Sequence, residues 1–201
     1  CWGRGVATVL IMGDVCTRRC GFCAIGKGRP GPLDAGEPAA MAELAAIMGA
    51  HYLVITSVDR DDLPDGGAAH FAACVRAVHE QTGALVETLI PDFKGQRASL
   101  ETLLAARPAC LAHNVETVPE LYRLARPGSF YDRSLEVLRL SKDIAPDIAT
   151  KSNIMLGLGE TRQGVLRVMH DLRAAGCDGL TVGQYLAPSK GHLPVREYVH
   201  P

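Results

Sequence analysis

The sequence has no apolar run that approaches the ~18 residues a membrane-spanning helix requires, and no signal peptide opens it. It also lacks an excess of either charge, since 21 Lys and Arg face 22 Asp and Glu and the formal net charge is -1. No bulk attraction to nucleic acid or to an anionic membrane surface is therefore expected. No low-complexity segment or long polar linker interrupts the chain. These absences predict a globular protein that binds neither nucleic acid nor membranes.

The length and the cysteine content limit the architecture further. A chain of 201 residues with 47% hydrophobic residues suits one sizeable domain, and we expect residues 1–201 to form it as a monomer. Seven cysteines are many for a reducing compartment unless a metal explains some of them. Disulfides are not expected, because nothing in the chain suggests secretion.

Three of the cysteines lie close together. Cys16, Cys20 and Cys23 are spaced C-x3-C-x2-C, and Arg18 and Arg19 lie between the first two. Nearby cations favour the thiolate, which is the form that ligates metal, and Gly21 removes a side chain where the loop must fold tightly around its cargo. Structural zinc sites and most cubane iron–sulfur clusters take four protein ligands. Three thiolates would leave one metal atom of a cubane cluster without a protein ligand, and a reacting ligand could bind there.

Two plainer interpretations of the three thiols remain open. They could be free cysteines packed in the core, where cysteine is common, or part of a zinc site completed by a distant residue. The tight spacing, the arginines and the loop position favour a cluster. Cys74, Cys110 and Cys177 lie in apolar helix or strand contexts and are interpreted as packing residues.

Strand-like and helix-like segments alternate along the chain, which predicts an α/β fold with a parallel sheet, because each right-handed crossover returns the chain to the same edge. Polar clusters follow the strand ends, where a parallel barrel binds its ligands. A closed barrel needs eight units, so six would give a partial barrel with an open side. The six predicted strands are Val6–Met12, Tyr52–Thr56, Leu85–Ile90, Ala109–Ala112, Thr150–Leu156 and Gly179–Leu186.

The cysteine spacing, with Phe22 directly before the third thiol, resembles the cluster-binding motif of the radical S-adenosylmethionine (SAM) superfamily. Longer stretches resemble the lipoyl synthase family of that superfamily. These are residues 1–3, 56–67, 91–93, 113–119, 151–161 and 183–188. The resemblance covers essentially the whole chain and implies an α/β fold of the partial (β/α)6 TIM-like barrel type.

The resemblance also implies a reaction. A [4Fe-4S] cluster on Cys16, Cys20 and Cys23 would pass an electron to SAM. The resulting 5'-deoxyadenosyl radical would abstract hydrogen from C6 and C8 of an octanoyl chain on a carrier-protein lysine. A second, auxiliary [4Fe-4S] cluster would supply the sulfur. The implied partners are octanoylated lipoyl carrier domains, namely the glycine cleavage H protein and the E2 subunits of 2-oxoacid dehydrogenases, and an electron donor such as ferredoxin or flavodoxin.

Cys1 resembles the last cysteine of the family's auxiliary-cluster triplet, and a stray terminal cysteine is the alternative. The other two cysteines of the triplet and the family's C-terminal serine motif are not in the sequence, so we expect a core fragment of the family's chain. The resemblance places such an enzyme in the bacterial cytoplasm, or in the mitochondrial matrix if it is eukaryotic.

Candidate SAM contacts follow from the superfamily's pattern. Ser57, Asp59 and Arg60 follow the second strand, near the methionyl end of SAM, and Arg60 could bind a carboxylate through two hydrogen bonds. The alternative for Arg60 is a surface network with neighbouring aspartates. Asn114 and Glu116 could take the ribose hydroxyls, or could instead cap the following helix.

Other SAM contacts are implied by the fifth and sixth strands. Met155 lies in a run, Asn153-x-Met155-x-Gly157-x-x-Glu160, that is similar to the superfamily's adenine-contacting pattern, with Asn153 replacing its first glycine. Lys151 is predicted to be the buried partner of a carboxylate. Finally, Phe22, Gln184 and Leu186 complete the predicted contacts.

Two other functions stay open. One is radical SAM chemistry on a different substrate, as in biotin synthase-like enzymes. The other is a non-catalytic iron–sulfur electron-transfer domain, which would hold a cluster without cleaving SAM.

Overall fold

A six-stranded sheet organises the computed structural model, which describes residues 5–200. Every neighbouring pair of its strands is parallel. The strands lie side by side in the order Val6–Ile11, Tyr52–Ser57, Leu85–Leu89, Cys110–Ala112, Ala149–Leu156 and Gly179–Gln184, so they are added along the sheet in the order of the chain, as successive right-handed crossovers would place them. Two further short strands, Val15–Cys16 and Gly26–Lys27, pair in parallel outside this sheet.

The elements occur in the following order. They are β1 (Val6–Ile11), β2 (Val15–Cys16), β3 (Gly26–Lys27), α1 (Glu37–Ile47), β4 (Tyr52–Ser57), α2 (Ala68–Gln81), β5 (Leu85–Leu89), α3 (Arg97–Leu104), β6 (Cys110–Ala112), α4 (Tyr122–Ala125), α5 (Tyr131–Ile144), β7 (Ala149–Leu156), α6 (Arg162–Ala174) and β8 (Gly179–Gln184). Short 3-10 helices span Phe93–Gly95 and Pro119–Leu121.

The six predicted strand–helix units are all present. Their ends differ from the sequence prediction by one or two residues in most cases. The last strand was predicted too long, because β8 ends at Gln184 and leaves Leu186 outside the sheet. The strands β2 and β3 were not predicted, since two-residue strands carry no periodicity. None of the helices in the described part of the chain is long and apolar enough to cross a membrane.

One face of the sheet forms the main core. Leu53 and Ile55 of β4 and Leu111 of β6 are fully buried there, and they belong to one apolar cluster with Phe71 and Val75 of α2. Successive side chains of a strand point to opposite faces, so the alternate positions face the other side. There the Tyr52 hydroxyl donates a hydrogen bond of 2.7 Å to Glu87.

The chain turns sharply where α2 begins. Gly67 has a φ of +90°, and a β-carbon there would lie 2.4 Å from the sulfur of Met12. Only glycine satisfies both the backbone conformation and the close approach. The Asp65 carboxylate accepts hydrogen bonds from the backbone N–H groups of Gly67 and Ala69, which stabilises the first turn of the helix.

We expect Leu111→Ala to lower the free energy of unfolding by about 3 kcal/mol, because it leaves a void in a core that cannot fully collapse. Leu85→Ala is the matched control. Leu85 is 56% exposed, whereas Leu111 is 0% exposed, so the same truncation there should change stability by only about 0.5 kcal/mol. Urea denaturation measures both values, and equal losses would contradict this assignment of the core.

Candidate functional site

A cavity of about 490 Å³ lies where the carboxyl ends of the strands meet the cysteine loop. Its wall includes Leu10 of β1, Thr56 of β4 and Leu89 of β5, all from the face of the sheet opposite the main core. Ligand sites of parallel sheets occur at this edge, and the volume is within the ~300–1,000 Å³ of typical ligand pockets.

All three cysteines of the motif line this cavity. Cys16, Cys20 and Cys23 are half-buried, and each is a free thiol. The backbone N–H groups of Arg18 and Asp59 lie 3.4 and 3.3 Å from the sulfur of Cys16 and donate to it. These donors would stabilise a thiolate, although burial outweighs them and raises the pKa of the Cys16 thiol. Burial also raises the pKa of Cys20.

The spacing of the thiols bears on the zinc alternative. Within residues 5–200, no three His, Cys, Asp or Glu side chains are close enough to hold a single metal ion. A cubane cluster places each thiolate on a different iron, so thiols distributed around one cavity suit a cluster better than a mononuclear zinc site.

The start of the cysteine loop is fixed at the end of β1. Met12 adopts a left-handed φ of 65° and Gly13 one of 86°, which turns the chain out of the strand. The Glu37 carboxylate accepts the backbone N–H of Met12 at 2.9 and 3.1 Å and contacts the His70 ring at 2.6 Å. The N-terminus of α1 is thereby tied to the first residue after the strand.

The loop is also tied to the end of β4. The backbone N–H and the hydroxyl of Thr17 both donate to the carbonyl of Asp59, at 3.0 and 2.9 Å. The same hydroxyl accepts the backbone N–H of Asp61 at 3.0 Å. The residue after the first thiol therefore has its position set by the charged loop that follows β4.

Arg18 makes the strongest connection of the loop. Its guanidinium is 7% exposed and forms ion pairs with Asp59 and Asp61 at 2.9 Å and with Asp92 at 2.6 Å. Burial would raise the pKa of Asp92, but the hydrogen bonds and charge of Arg18 outweigh it and hold that pKa at about 2. For Asp59 burial prevails and raises the pKa to about 7.

These contacts correct two predictions about the loop. Arg18 does not serve the thiolates, because three carboxylates surround its charge; instead, Arg126 is the cation that lowers the pKa of Cys20 against the effect of burial. Gly21 does not make room for the cavity contents. A β-carbon there would lie 3.0 Å from the side chain of Leu193, so the free space belongs to the chain segment after β8.

Four predicted SAM contacts line the cavity, namely Ser57, Asp59, Asn114 and Glu116. The Asn114 amide donates to the Glu116 carboxylate at 3.0 Å. Neither side chain caps the helical turn that follows, which begins after Val118 without a side-chain cap, so the capping alternative is wrong. Glu116 has a φ of +66°, a conformation that costs a non-glycine residue ~1–3 kcal/mol and that concentrates at functional sites.

Two polar atoms in the cavity wall have no hydrogen-bond partner among the described residues. They are the hydroxyl of Ser57 and the Nε of Arg126, and both are buried. Arg126 itself is 9% exposed, and its other hydrogen bonds run from Nη1 to the carbonyls of Asn114 and Val115 and to the hydroxyls of Tyr122 and Ser134. Buried polar atoms are nearly always paired. A third unpaired atom, the hydroxyl oxygen of Thr117, lies outside the wall, whereas Ser57 and Arg126 line the cavity, where a ligand can supply the missing partners.

Arg60 does not line the cavity. Its guanidinium donates two hydrogen bonds of 2.9 Å to Asp62 and others to the carbonyls of Gly31 and Met12, and the residue is 2% exposed. The prediction that Arg60 is free to bind the carboxylate of SAM is therefore wrong. Pairing with a neighbouring aspartate was the alternative, and Arg60 does pair with Asp62, which is exposed, although the arginine itself is buried.

Lys151 pairs with Glu87, which confirms that it is the partner of a carboxylate, but the prediction that Lys151 is buried is wrong, because its side chain is 34% exposed. The side chain of Glu87 is only 5% exposed. Lys151, Phe22 and Met155 are not part of the cavity wall described here, and their contacts with SAM stay predictions.

Gln184 and Leu186 also lie away from this wall. The amide of Gln184 donates to the carbonyls of Tyr185 and Glu197 and accepts the backbone N–H of Val199, so it organises the segment after β8. Leu186 is 65% exposed. Their contacts with SAM stay predictions. The predicted auxiliary-cluster ligand, Cys1, lies outside the described residues.

Sequence reasoning missed Arg126, which lies at the end of α4 between two unremarkable stretches. Its spacing from the other site residues gives no signal, because only the fold brings it to Cys20. His113 also lines the cavity, but both of its ring nitrogens are already paired within the fold. Its ring bonds to the carbonyl of Ile90 and the hydroxyl of Ser134, and burial lowers its pKa to about 4.

The part of the chain that matches a known protein family contains this site. The model of the radical SAM superfamily matches residues 10–172, which contain the cysteine loop and most of the cavity wall. The chain belongs to the radical SAM superfamily. The cofactors of this superfamily are a [4Fe-4S] cluster and SAM.

Curated relatives give a closer similarity. The chain is 58% identical over 203 aligned residues to the lipoyl synthase of Burkholderia mallei (strain SAVP1), covering all of this chain and 62% of that protein. It is 55% identical to the lipoyl synthase of Chromobacterium violaceum, covering all of this chain and 64% of that protein. The chain thus spans just over three fifths of the length of the curated relatives it matches.

Solved structures share the fold. Methylornithine synthase (PylB) superposes with a TM-score of 0.73 at 20% identity, over 96% of this chain and 57% of that one. Streptococcus suis SuiB, in a crystal structure with S-adenosylmethionine bound, gives 0.71 at 12% identity over 96% of this chain and 43% of that one. The similarity confirms the predicted α/β fold of the partial (β/α)6 barrel type.

Arg18 and Arg19 are adjacent, but only Arg18 is buried. We expect Arg18→Gln to lower the free energy of unfolding of the iron-free protein by about 3 kcal/mol, because it removes the cation next to Asp59 and leaves the buried Asp92 with only its longer ion pair to Arg133 at 3.5 Å. Arg19→Gln, at an exposed position, should change it by about 0.5 kcal/mol or less. Denaturant titrations of both variants make the comparison. Equal effects would show that the carboxylates do not depend on Arg18.

Proposed function

We propose that the chain is the catalytic core of a lipoyl synthase. It would hold a [4Fe-4S] cluster on Cys16, Cys20 and Cys23 and bind SAM in the adjoining cavity. One observation carries the proposal: three free thiols share a cavity wall with two unpaired buried polar groups, Ser57 Oγ and Arg126 Nε. The family match and the two lipoyl synthase relatives support it.

The residues present fit both cofactors. Three thiolates leave one of four irons without a protein ligand, which is where a chelating amino acid such as the methionyl end of SAM can bind. The carboxylate of that end needs a cation, and Arg126, which is close enough to Cys20 to lower its pKa, has a free N–H. When bound, the cluster and SAM supply the electron and the radical precursor for abstracting hydrogen from an unactivated carbon.

The protein's own groups then bind and orient. We assign the ribose hydroxyls to Asn114 and Glu116, whose hydrogen-bonded pair lines the cavity. Ser57 supplies one more hydrogen bond through its unpaired hydroxyl. The apolar part of the wall, which includes Leu10, Ile25 and Leu89, contacts the hydrocarbon and excludes water. An unactivated C–H bond has no charge to stabilise. The protein can therefore contribute only by orienting the substrate relative to the radical and by excluding water from the cavity.

The substrate follows from the named relatives. We propose an octanoyl chain in amide linkage to a lysine of a lipoyl carrier domain, either the glycine cleavage H protein or an E2 subunit. Replacing two C–H bonds with two C–S bonds consumes two molecules of SAM and two sulfur atoms. The auxiliary [4Fe-4S] cluster, with Cys1 among its ligands, would supply the sulfur. Ferredoxin or flavodoxin would supply the electrons, in a cytoplasmic setting.

We expect the full-length protein, reconstituted without oxygen, to convert SAM to 5'-deoxyadenosine under reduction. Cys20→Ser should lose about four irons and all cleavage, because two thiolates do not retain the cubane. Cys177→Ser is the matched control, since Cys177 is also a half-buried free thiol but lies outside the cavity. Iron analysis and chromatography of the nucleoside products are the measurements. Full cleavage by Cys20→Ser would overturn the assignment of the cluster.

The same preparation distinguishes the alternative functions. An octanoyl-lysine peptide should gain two sulfur atoms, which mass spectrometry detects. An unchanged peptide together with deoxyadenosine formation would indicate a radical SAM enzyme with another substrate. A cluster whose spectrum does not change when SAM is added would indicate an electron-transfer domain.

Arg126→Gln should weaken SAM binding by roughly 10- to 100-fold, because a charged hydrogen bond contributes about 1.5–3 kcal/mol. Arg123→Gln, at an exposed position three residues earlier on α4, should leave binding unchanged. Equilibrium binding of SAM to the reconstituted protein gives both dissociation constants. Equal iron content in the two variants shows that Arg126→Gln still folds, and unchanged affinity would contradict the assigned carboxylate contact.

A further inference from the structure

The chain after β8 crosses over the cysteine loop. Residues 189–193, which we call the strap, make two hydrogen bonds to it. The backbone N–H of Leu193 donates to the carbonyl of Gly21 at 3.0 Å, and the ring of His192 contacts the carbonyl of Cys23 at 3.2 Å through Nε2. The strap therefore touches the segment that carries the second and third thiols.

The contacts of His192 determine its tautomer. A carbonyl oxygen only accepts, so Nε2 of His192 carries the proton and donates to Cys23. Nδ1 is then the acceptor in the neutral ring, and it receives the hydroxyl proton of Ser189 over 2.9 Å. The backbone N–H of Gly191 donates to the same hydroxyl at 3.2 Å. This chain of hydrogen bonds orients the ring toward the cysteine loop.

The absence of a side chain at Gly21 fits the same contact. The φ of Gly21 is not in the left-handed region, so its backbone does not require glycine. The obstacle is steric, because a β-carbon would lie 3.0 Å from Leu193 Cγ and 3.1 Å from its Cδ1. Gly21 therefore admits the strap.

The strap is itself held at its C-terminal end. Tyr185, which directly follows β8, is 2% exposed, and its hydroxyl donates to the carbonyl of Leu193 at 2.8 Å. Beyond the strap, the backbone N–H of Arg196 donates at 2.8 Å to the carbonyl of Gly157, which directly follows β7. The end of the strap is thus attached to the residues that follow β8 and β7.

We propose that the strap is a positioning element for the cluster-binding loop and that His192 is a positioning residue for Cys23. The inference rests on the proposed function. The Arg18 and Thr17 contacts hold the first part of the loop, near Cys16. The strap holds the second part, so that all three thiols keep their places on the cavity wall before a cluster is present. Groups that orient metal ligands in this way typically change metal affinity 10- to 100-fold.

The test compares three variants of the full-length protein, reconstituted without oxygen. His192→Ala should increase roughly tenfold the rate at which a ferrous chelator removes the cluster whose EPR spectrum responds to SAM. His192→Gln, whose amide nitrogen can occupy the place of Nε2, should restore a rate near that of the wild type. His170→Ala on the exposed face of α6 is the control and should have no effect. Equal rates for His192→Ala and the wild type would overturn the proposal.

A second measurement does not need the cluster. Hydrogen exchange of residues 16–24 in the iron-free protein should be faster in His192→Ala than in the wild type. If the wild type binds no cluster at these cysteines, the proposed function fails, but this measurement still decides whether the strap orders the loop. Equal exchange rates in His192→Ala and the wild type would by themselves overturn the proposal that the strap orders the cysteine loop.

The steric contact gives an independent check. Gly21→Ala should also accelerate exchange in residues 16–24, and adding Leu193→Ala should reverse part of that effect, because it removes the atoms the new methyl group would meet. Additive effects of the two substitutions would show that Gly21 and Leu193 do not contact each other.

Discussion

The buried guanidinium of Arg18 is the contact on which the site depends. It lies between the first two thiols of the motif and pairs with carboxylates from two different strand ends, Asp59 and Asp61 after β4 and Asp92 after β5. A cation this deep is stable only with such partners, and the buried Asp92 depends on it strongly, because its other ion pair, with Arg133, is longer at 3.5 Å. If the cysteine loop moved away from the sheet edge, Arg18 would be separated from its carboxylates and buried charges would lose their partners. This constraint fixes the position of the cysteine loop, although the loop has little regular secondary structure.

The parallel sheet makes this arrangement available. Because every strand runs in the same direction, the loops after β1, β4, β5 and β6 all open at one edge. Residues far apart in the sequence, such as Cys20, Ser57 and Arg126, then share one cavity wall. In this wall Ser57 Oγ and Arg126 Nε have no hydrogen-bond partner within the protein. Such atoms are costly to bury, and a bound ligand can offset that cost by pairing with them.

The sequence predicted the parts of the molecule that local pattern controls. Short apolar runs located the six main strands, and the cysteine spacing located the loop. Four of the ten predicted SAM contacts line the cavity, because they lie at or just beyond the ends of β4 and β6. Arg60 failed for a physical reason: a side chain next to a strand end can turn away from the cavity, and Asp62 two residues later captured it. Arg126 and His192 could not be predicted, because their positions depend on how separate segments pack.

The pair of Lys151 and Glu87 has a geometric consequence for the sheet. These residues lie on β7 and β5, and β6 runs between them with the small side chains Cys110 and Ala112 on the same face. In a flat sheet the two strands would be about 10 Å apart. An ion pair that spans an intervening strand draws the two outer strands together on its own face, so it favours a sheet that is concave on that face. The cavity lies on the same face. The ion pair therefore favours the direction of sheet curvature that encloses the cavity.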